Sequence, residues 1–327
     1  MKLIRYLNNP LSFIQKNVIS LGNFDGVHQG HQMVLKEGKN IAKKNSIPHA
    51  VLTFEPHPKE FFFHDSLPFR LTPCAIKLKL LNKLNIDYVV VLKFNYDLSS
   101  LSPELFIQNI LINSLHVDHV VVGHDFVFGK NRQGNADLLK ILGKKMGFNV
   151  TIVKPIKNAN NLIYSSTHIR DYLKKGQIQD ANKMLGRPWQ IQGRVIKGDQ
   201  RGRTIGFPTA NIFYKNYLIP TFGVYACFVK HPKESHQLFP AITNIGYRPT
   251  IHGQDLRVET HIFDFSGDLY DQKLSIMLID FIRPEKKFDS LQHLQNQIIQ
   301  DCQTAQSILQ NSINSIDMAD PLNDLSC

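Results

Sequence analysis

The chain has no apolar run long enough to cross a bilayer; its longest, such as Tyr88 to Leu92 and His119 to Val122, fall far short. The amino-terminal stretch MKLIRYLNNPLSFIQKN is interrupted by Arg5, Asn8, Asn9 and Pro10, so it lacks the continuous apolar core of a secretory signal. Cysteine is scarce: Cys74, Cys227, Cys302 and Cys327 are scattered with no metal-ligand spacing, which argues against a disulfide scaffold and fits reduced thiols. A cytoplasmic protein with no membrane partner is expected. Recognition-helix, aromatic RNA-binding and zinc-finger signatures are missing too, so no nucleic-acid partner is expected despite a net charge of +11 from 38 Lys plus Arg against 27 Asp plus Glu. The basic residues are spread along the chain, and short runs such as Lys39 to Lys44 read as solvated helix faces. Nothing in the sequence specifies how subunits assemble.

What is present suffices for two domains with full cores: 327 residues, of which 43% are hydrophobic and 20% charged. From residue 17 to about 154 strand-like runs (Val18–Leu21, Ala50–Phe54, Tyr88–Phe94, His119–Val122, Val150–Val153) alternate with helical patterns. That alternation predicts a doubly wound parallel α/β sheet covered on both faces. Ligands bind such sheets outside the carboxyl ends of the strands. The polar and glycine-rich clusters fall there: GNFDGVHQGH, TFEPHP, KFNYDLSSLSP, GHDFVFGKNRQG and, past a short linker, YSSTHIR.

The first cluster, Gly22 to His31, follows a strand and opens a helix. Gly22, Gly26 and Gly30 let backbone approach a ligand, and a helix start presents free N–H groups to an anion. His28 and His31 have three readings: phosphate contacts, helix caps, or two zinc ligands without a nearby third. Asp25 is a turn former or a carboxylate facing a ribose or metal. Phe61, Phe62 and Phe63 read as core, and His57 as part of a stiff loop between prolines. GKNRQG resembles a P-loop only loosely, lacking the Lys-Ser/Thr ending. Ser165, Ser166 and Thr167, with Arg170 one turn on, are an N-cap or a phosphate cradle.

A helix ending at Leu185 is stopped by Gly186, and the domain boundary is expected there. Beyond it, short alternating runs (Gln190–Lys197, Val224–Lys230, Ala241–Ile245, Arg257–Phe265, Lys273–Phe281) predict an antiparallel β-barrel, followed by a helix from Ser290 to about Ile313. Residues 314–327 are polar and acidic and read as a tail. The densest chemistry here is KGDQRGRTIGFPTAN: Gly198, Gly202 and Gly206 with Arg201 and Arg203 form a cationic loop suited to a polyphosphate, or a hairpin turn with solvated arginines. An extended PTAN segment projects Thr209 and Asn211 to one side, where a hydroxyl and an amide oxygen can hold magnesium. Alternation puts Glu259 on a strand face with Arg257, His261 and Phe263, a position that is functional or simply solvated.

GNFDGVHQGH, TFEPHP, VVGHDFVFGKNRQG and SSTHIR resemble, in that order, the adenylyltransferase half of the bacterial bifunctional riboflavin kinase/FAD synthetase family. GRTIGFPTAN, GVYA, NIGYRPT, VETHIFDF, DLY and FIRPEKKFDSLQHLQNQI are similar to its riboflavin kinase module. The resemblance implies domains at 1–185 (FMN adenylyltransferase) and 186–313 (riboflavin kinase). It implies that riboflavin is phosphorylated to FMN with Mg-ATP and that FMN is then adenylylated to FAD, the flavins being substrates and products. In the first half, His28 and His31 would be catalytic. Gly22, Asn23, Phe24, Asp25, Gly26, Gly30, Ser165, Ser166, Thr167 and Arg170 would meet ATP, and Asp125, Phe126, Phe128 and Arg132 the flavin. In the second, Glu259 would be the general base, Thr209 and Asn211 the magnesium ligands, and Gly198, Arg201, Gly202, Arg203, Gly206 and Pro208 ATP contacts. Three positions depart from the family pattern: Val127 where arginine is frequent, His168 where another basic residue is usual, and Asp271 where glycine usually follows DLY.

Overall fold

Near-continuous Val, Ile and Leu runs produce strands buried on both faces, as in β2, whose five residues are all buried. The computed structural model describes residues 1–5, 16–63, 67–157, 161–198, 202, 205–231, 237–250 and 253–313. They form two compact units, one of Met1–Leu67 with Thr72–Ser165, the other of Pro68–Leu71 with the chain from Ser166 onward.

In the first unit β1 (Lys2–Arg5), β2 (Asn17–Leu21), β3 (His49–Glu55), β4 (Tyr88–Lys93) and β5 (Val117–Gly123) precede a small antiparallel pair, β6 (Val127–Phe128) and β7 (Gly134–Asn135), and then β8 (Asn149–Val153). The main sheet runs β1-β4-β3-β2-β5-β8, every pairing parallel. Its helices are α1 (Gln29–Asn45), α2 (Pro58–Phe62), α3 (Cys74–Lys83), α4 (Tyr96–Ser100), α5 (Pro103–Phe106, continued as a wider π-helical segment over Ile107–Ser114) and α6 (Ala136–Met146). Close packing of α1 on the sheet needs Gly38: a Cβ there would lie 2.4 Å from Ser20 Oγ and 2.5 Å from His49 Nε2. Those two buried polar groups hydrogen-bond at 2.8 Å, and burial pushes the His49 imidazole down to about 4. The sequence pattern predicts no strand at Lys2–Arg5, which is short, partly charged and an edge.

In the second unit α7 (Ser166–Lys174) and α8 (Ile178–Leu185) lead into β9 (Trp189–Ile196), β10 (Ala210–Phe213), β11 (Gly223–Lys230), β12 (Leu238–Thr250), β13 (Gly253–Ile262) and β14 (Lys273–Arg283). These strands close an antiparallel barrel in the order β10-β13-β12-β11-β14-β9, leaving no open edge. The C-terminal helix, Leu291–Ile313, buries Ala305 and Leu309 in a cluster with Val224, Phe228 and Met277, and Asp301 grips Arg283 through both carboxylate oxygens.

Gly186 ends α8 in the left-handed region (φ 74°), where the sequence predicts the stop. The compact units nevertheless divide twenty residues earlier, at Ser165. Asn182 explains why: its amide donates to Leu278 O (2.8 Å) and its carbonyl accepts from Trp189 N (2.7 Å), so α8 is built onto the barrel. Pro68–Leu71 joins the same unit because Trp189 Nε1 donates to Leu71 O and Leu218 N to Arg70 O.

Candidate active sites

All strands of the first sheet run parallel, so the loops after β2, β3, β4 and β5 gather at one edge. The loop after β2 is irregular and buried. Phe24 (φ 51°), Gly26 (φ 90°) and Val27 (φ 42°) all take positive φ, and Phe24 and Val27 are almost wholly buried. Asp25 is buried and accepts from Thr72 N (3.0 Å), while Gly26 N donates to Thr72 Oγ1 (2.9 Å), so the Asp25 carboxylate braces the turn. The Asn23 side-chain oxygen is buried with no hydrogen-bond partner among the described residues.

His28 caps α1: its Nδ1 accepts from His31 N at 3.3 Å. Capping and phosphate contact are therefore compatible, because an accepting Nδ1 leaves the neutral ring's proton on Nε2 as a donor. The rings of His28 and His31 stack, centroids 3.6 Å apart and 20° from parallel, so the two imidazoles lie side by side at the helix start. Gly30 has Tyr164 O and the His28 ring within 3.1 Å of a hypothetical Cβ, so it admits the close approach that the spacing predicts.

The other first-unit clusters sort differently. His57 caps α2 through Nδ1, which accepts from Lys59 N at 3.1 Å. The reading of Phe61, Phe62 and Phe63 as core is corrected: Phe62 and Phe63 are 58% and 62% exposed. Helix α2 is a single turn at the end of β3, too short to fold them inward. Phe61 instead meets Phe94 (5.3 Å) and Tyr96 (5.0 Å) edge to face, an aromatic cluster able to pack a planar ring. After β5, Asp125 and Arg132 are exposed and Phe126 half-buried, whereas Phe128 belongs to the hydrophobic core, stacked on Phe126 at 5.5 Å. Val127 is exposed on β6. Ser165 closes the first unit; Ser166, Thr167 and Arg170 open α7 in the second, where Arg170 Nε donates to Phe69 O at 2.8 Å.

In the barrel unit the site is built by strand register. Asn211 on β10 faces Glu259 on β13, and Glu259 faces Asn244 on β12, so one row carries Asn211, Glu259 and Asn244. Val258 and Thr260 are buried and Glu259 is half-exposed, the alternation that the sequence predicts. Arg257 Nη1 lies 3.4 Å from Glu259 Oε1, and His261 bonds Pro208 O through Nδ1 at 2.8 Å, tying the PTAN segment to the Glu259 face. Gly198 is required beside Asn211, whose amide nitrogen would lie 2.2 Å from a Cβ; Gly202 likewise lies over Phe207 O. Gly206 has φ 87°. Arg201 and Arg203 lie outside the described residues, as do residues 314–327. Asn244 opens the NIGYRPT motif, but only the pairing of β12 with β13 brings it to Glu259.

A parallel α/β unit with a histidine-bearing helix start, followed by a closed barrel with an Asn–Glu row, is a two-module architecture with a polar cluster in each module, and the comparisons make it a transferase. Residues 12–168 match the family described as FAD synthetase and residues 185–309 the one described as riboflavin kinase. A bifunctional riboflavin kinase/FMN adenylyltransferase of Haemophilus influenzae is 41% identical over 94% of this chain and 99% of that protein. Its counterpart in Listeria monocytogenes is 40% identical over 90% of this chain and 95% of that one. A solved structure described as a macrolide-efflux protein from Streptococcus pneumoniae shares the architecture, with a TM-score of 0.83 and 29% identity over 94% of this chain and 99% of that chain. The chain belongs to the bifunctional riboflavin kinase/FMN adenylyltransferase family. Among the described residues no helix is long and apolar enough to cross a membrane.

Proposed function

We propose a division of labour at residue 185 between an adenylyl-transfer half and a kinase half, and the residue roles that follow. The chain phosphorylates riboflavin to FMN with ATP, then adenylylates FMN with a second ATP to give FAD and pyrophosphate. In the kinase half Glu259 accepts the proton of the terminal riboflavin hydroxyl as that oxygen attacks the γ-phosphorus, and ADP leaves. The observation that supports this is the Asn211–Glu259 pairing, which puts an amide and a carboxylate side by side on one strand face. Thr209 and Asn211 fit magnesium, since both offer neutral oxygens and Asn211 is packed beneath Gly198. Bound there, the ion would neutralise charge on the phosphates. Gly198, Gly202, Gly206 and Pro208 border the nucleotide's phosphates, whose charge the Arg201 and Arg203 guanidiniums complement.

In the adenylyl-transfer half the FMN phosphate is already a nucleophile and needs no base. His28 Nε2–H and His31 stabilise charge on the α-phosphoryl oxygens, at the positive end of the α1 dipole. Gly22, Asn23, Phe24, Asp25, Gly26 and Gly30 shape that nucleotide cradle. Ser165, Ser166, Thr167 and Arg170 hold the pyrophosphate, and Asp125, Phe126, Phe128 and Arg132 border the flavin. A cytoplasmic setting completes the proposal, supported by Cys227 and Cys302, which are thiols rather than halves of a disulfide.

Separating flavins by chromatography after incubation with riboflavin and Mg-ATP tests the roles. His28→Ala accumulates FMN without FAD, and Glu259→Ala yields FAD only when FMN is supplied. Loss of both products from either change refutes two independent sites.

A further inference from the structure

Lys77, on α3, is 3% exposed, and its neighbours Ile76, Leu78, Leu80 and Leu81 are buried apolar residues. A lysine in such surroundings is costly unless its amine has partners. Lys77 Nζ donates to the Asn23 carbonyl at 3.1 Å and to Thr53 Oγ1 at 2.9 Å. Thr53, wholly buried, donates its own hydroxyl to the same Asn23 carbonyl at 3.1 Å. Two side chains from different elements thus converge on one backbone oxygen.

That oxygen opens the irregular loop before His28. Phe24, Gly26 and Val27 follow it in positive-φ conformations, which a phenylalanine and a β-branched valine hold only where surroundings over-determine them. Thr72 restrains the middle of the loop through Asp25 and Gly26. Lys77 and Thr53 restrain its start, and His28, the N-cap of α1, ends it.

We propose that Lys77 is a positioning residue for adenylyl transfer, acting through the Asn23 carbonyl to fix the loop that delivers His28. This rests on the reading of His28 as a phosphate contact. Lys77→Met keeps an unbranched apolar stem and removes the donors; Lys77→Arg keeps donors. The second activity of the same chain, riboflavin phosphorylation, reports whether a variant is otherwise intact.

In Lys77→Met, kcat for FAD formation from FMN and Mg-ATP is expected to fall ~10- to 100-fold, the scale of an ångström-sized misplacement of reacting groups. KM for FMN is expected to stay within about threefold, since the interaction is lost in the transition state rather than in flavin binding. FMN formation from riboflavin stays at the parent rate, and Lys77→Arg recovers part of kcat. Should Lys77→Met fail to fold, Thr53→Val decides, with a smaller fall in kcat at unchanged KM. FAD formation at the parent kcat in Lys77→Met, or in Thr53→Val where that variant decides, overturns the proposal. So does a rise in KM alone. If His28→Ala still makes FAD at the parent rate, the reading of the loop fails instead.

Discussion

The two candidate phosphate loops of this chain are built by opposite means. The first, between β2 and α1, is made by backbone: its N–H groups, three positive-φ residues and a capping histidine are held from below by Thr53, Thr72 and Lys77. The second depends on strand register, with Asn211, Glu259 and Asn244 aligned across β10, β13 and β12 and glycines leaving room above Asn211 and Phe207. A site at the ends of parallel strands is sensitive to loop conformation. One on a barrel wall is sensitive to pairing, and a one-residue slip would turn Glu259 inward.

The reciprocal pair of catalytic changes breaks the comparison most directly. Glu259→Gln is expected to slow riboflavin phosphorylation by ~10²–10⁴-fold, the usual contribution of a general base. His28→Ala is expected to slow FAD formation by ~10²–10³-fold, as for loss of one charge-stabilising donor. Steady-state rates of both steps in each variant decide whether the loops work separately.

Next in size is the clasp of the barrel unit. Asp301→Ala leaves Arg283, only 20% exposed in its side chain, without its bidentate partner. Breaking such a pair costs about 3 kcal/mol or more. A fall in the urea midpoint with lost kinase activity, while FAD is still made from supplied FMN, would confine the damage to the second unit.

The first unit carries a pH-sensitive counterpart. His49, held down at about 4 by burial, stays neutral in the fold while its unfolded form takes a proton near 6.5. Stability is therefore complete above pH 6.5 and falls as pH drops toward 4, by about 3 kcal/mol in all. Urea midpoints between about pH 7.5 and 4.5 should fall more steeply in the parent chain than in His49→Gln.

The smallest effect lies in the turn after Tyr270. Asp271 has φ 60°, as expected for a residue standing where glycine is usual, and its N–H donates to Val195 O at 3.0 Å. Asp271→Val should cost roughly 1–2 kcal/mol, the penalty for a bulky L-residue in that region. Asp271→Gly should change stability by less than about 1 kcal/mol, read from thermal unfolding.

Much of this is legible in the sequence because local chemistry repeats with a period. The alternation of Val258, Glu259 and Thr260 is enough to put the carboxylate on the open face, and the apolar strand runs announce a sheet buried on both sides. Phe62 and Phe63 mislead because composition carries no information on whether a one-turn helix can bury its apolar residues. The partners of Lys77 and Asn244 are invisible for another reason: Lys77 is 54 residues from Asn23, and Asn244 meets Glu259 only through antiparallel pairing.

By itself, the sequence determined the two architectures, the boundaries of most elements and the residue types at both candidate phosphate loops, because hydrophobic period, glycine and capping chemistry act over a few residues. Tertiary structure alone decided that α7, α8 and Pro68–Leu71 count with the barrel and that Lys77 and Thr53 share one carbonyl. It also decided that Asn211, Glu259 and Asn244 form a row. Each of these rests on hydrogen bonds between residues distant in the chain, whose geometry exists only once the sheet and barrel have closed.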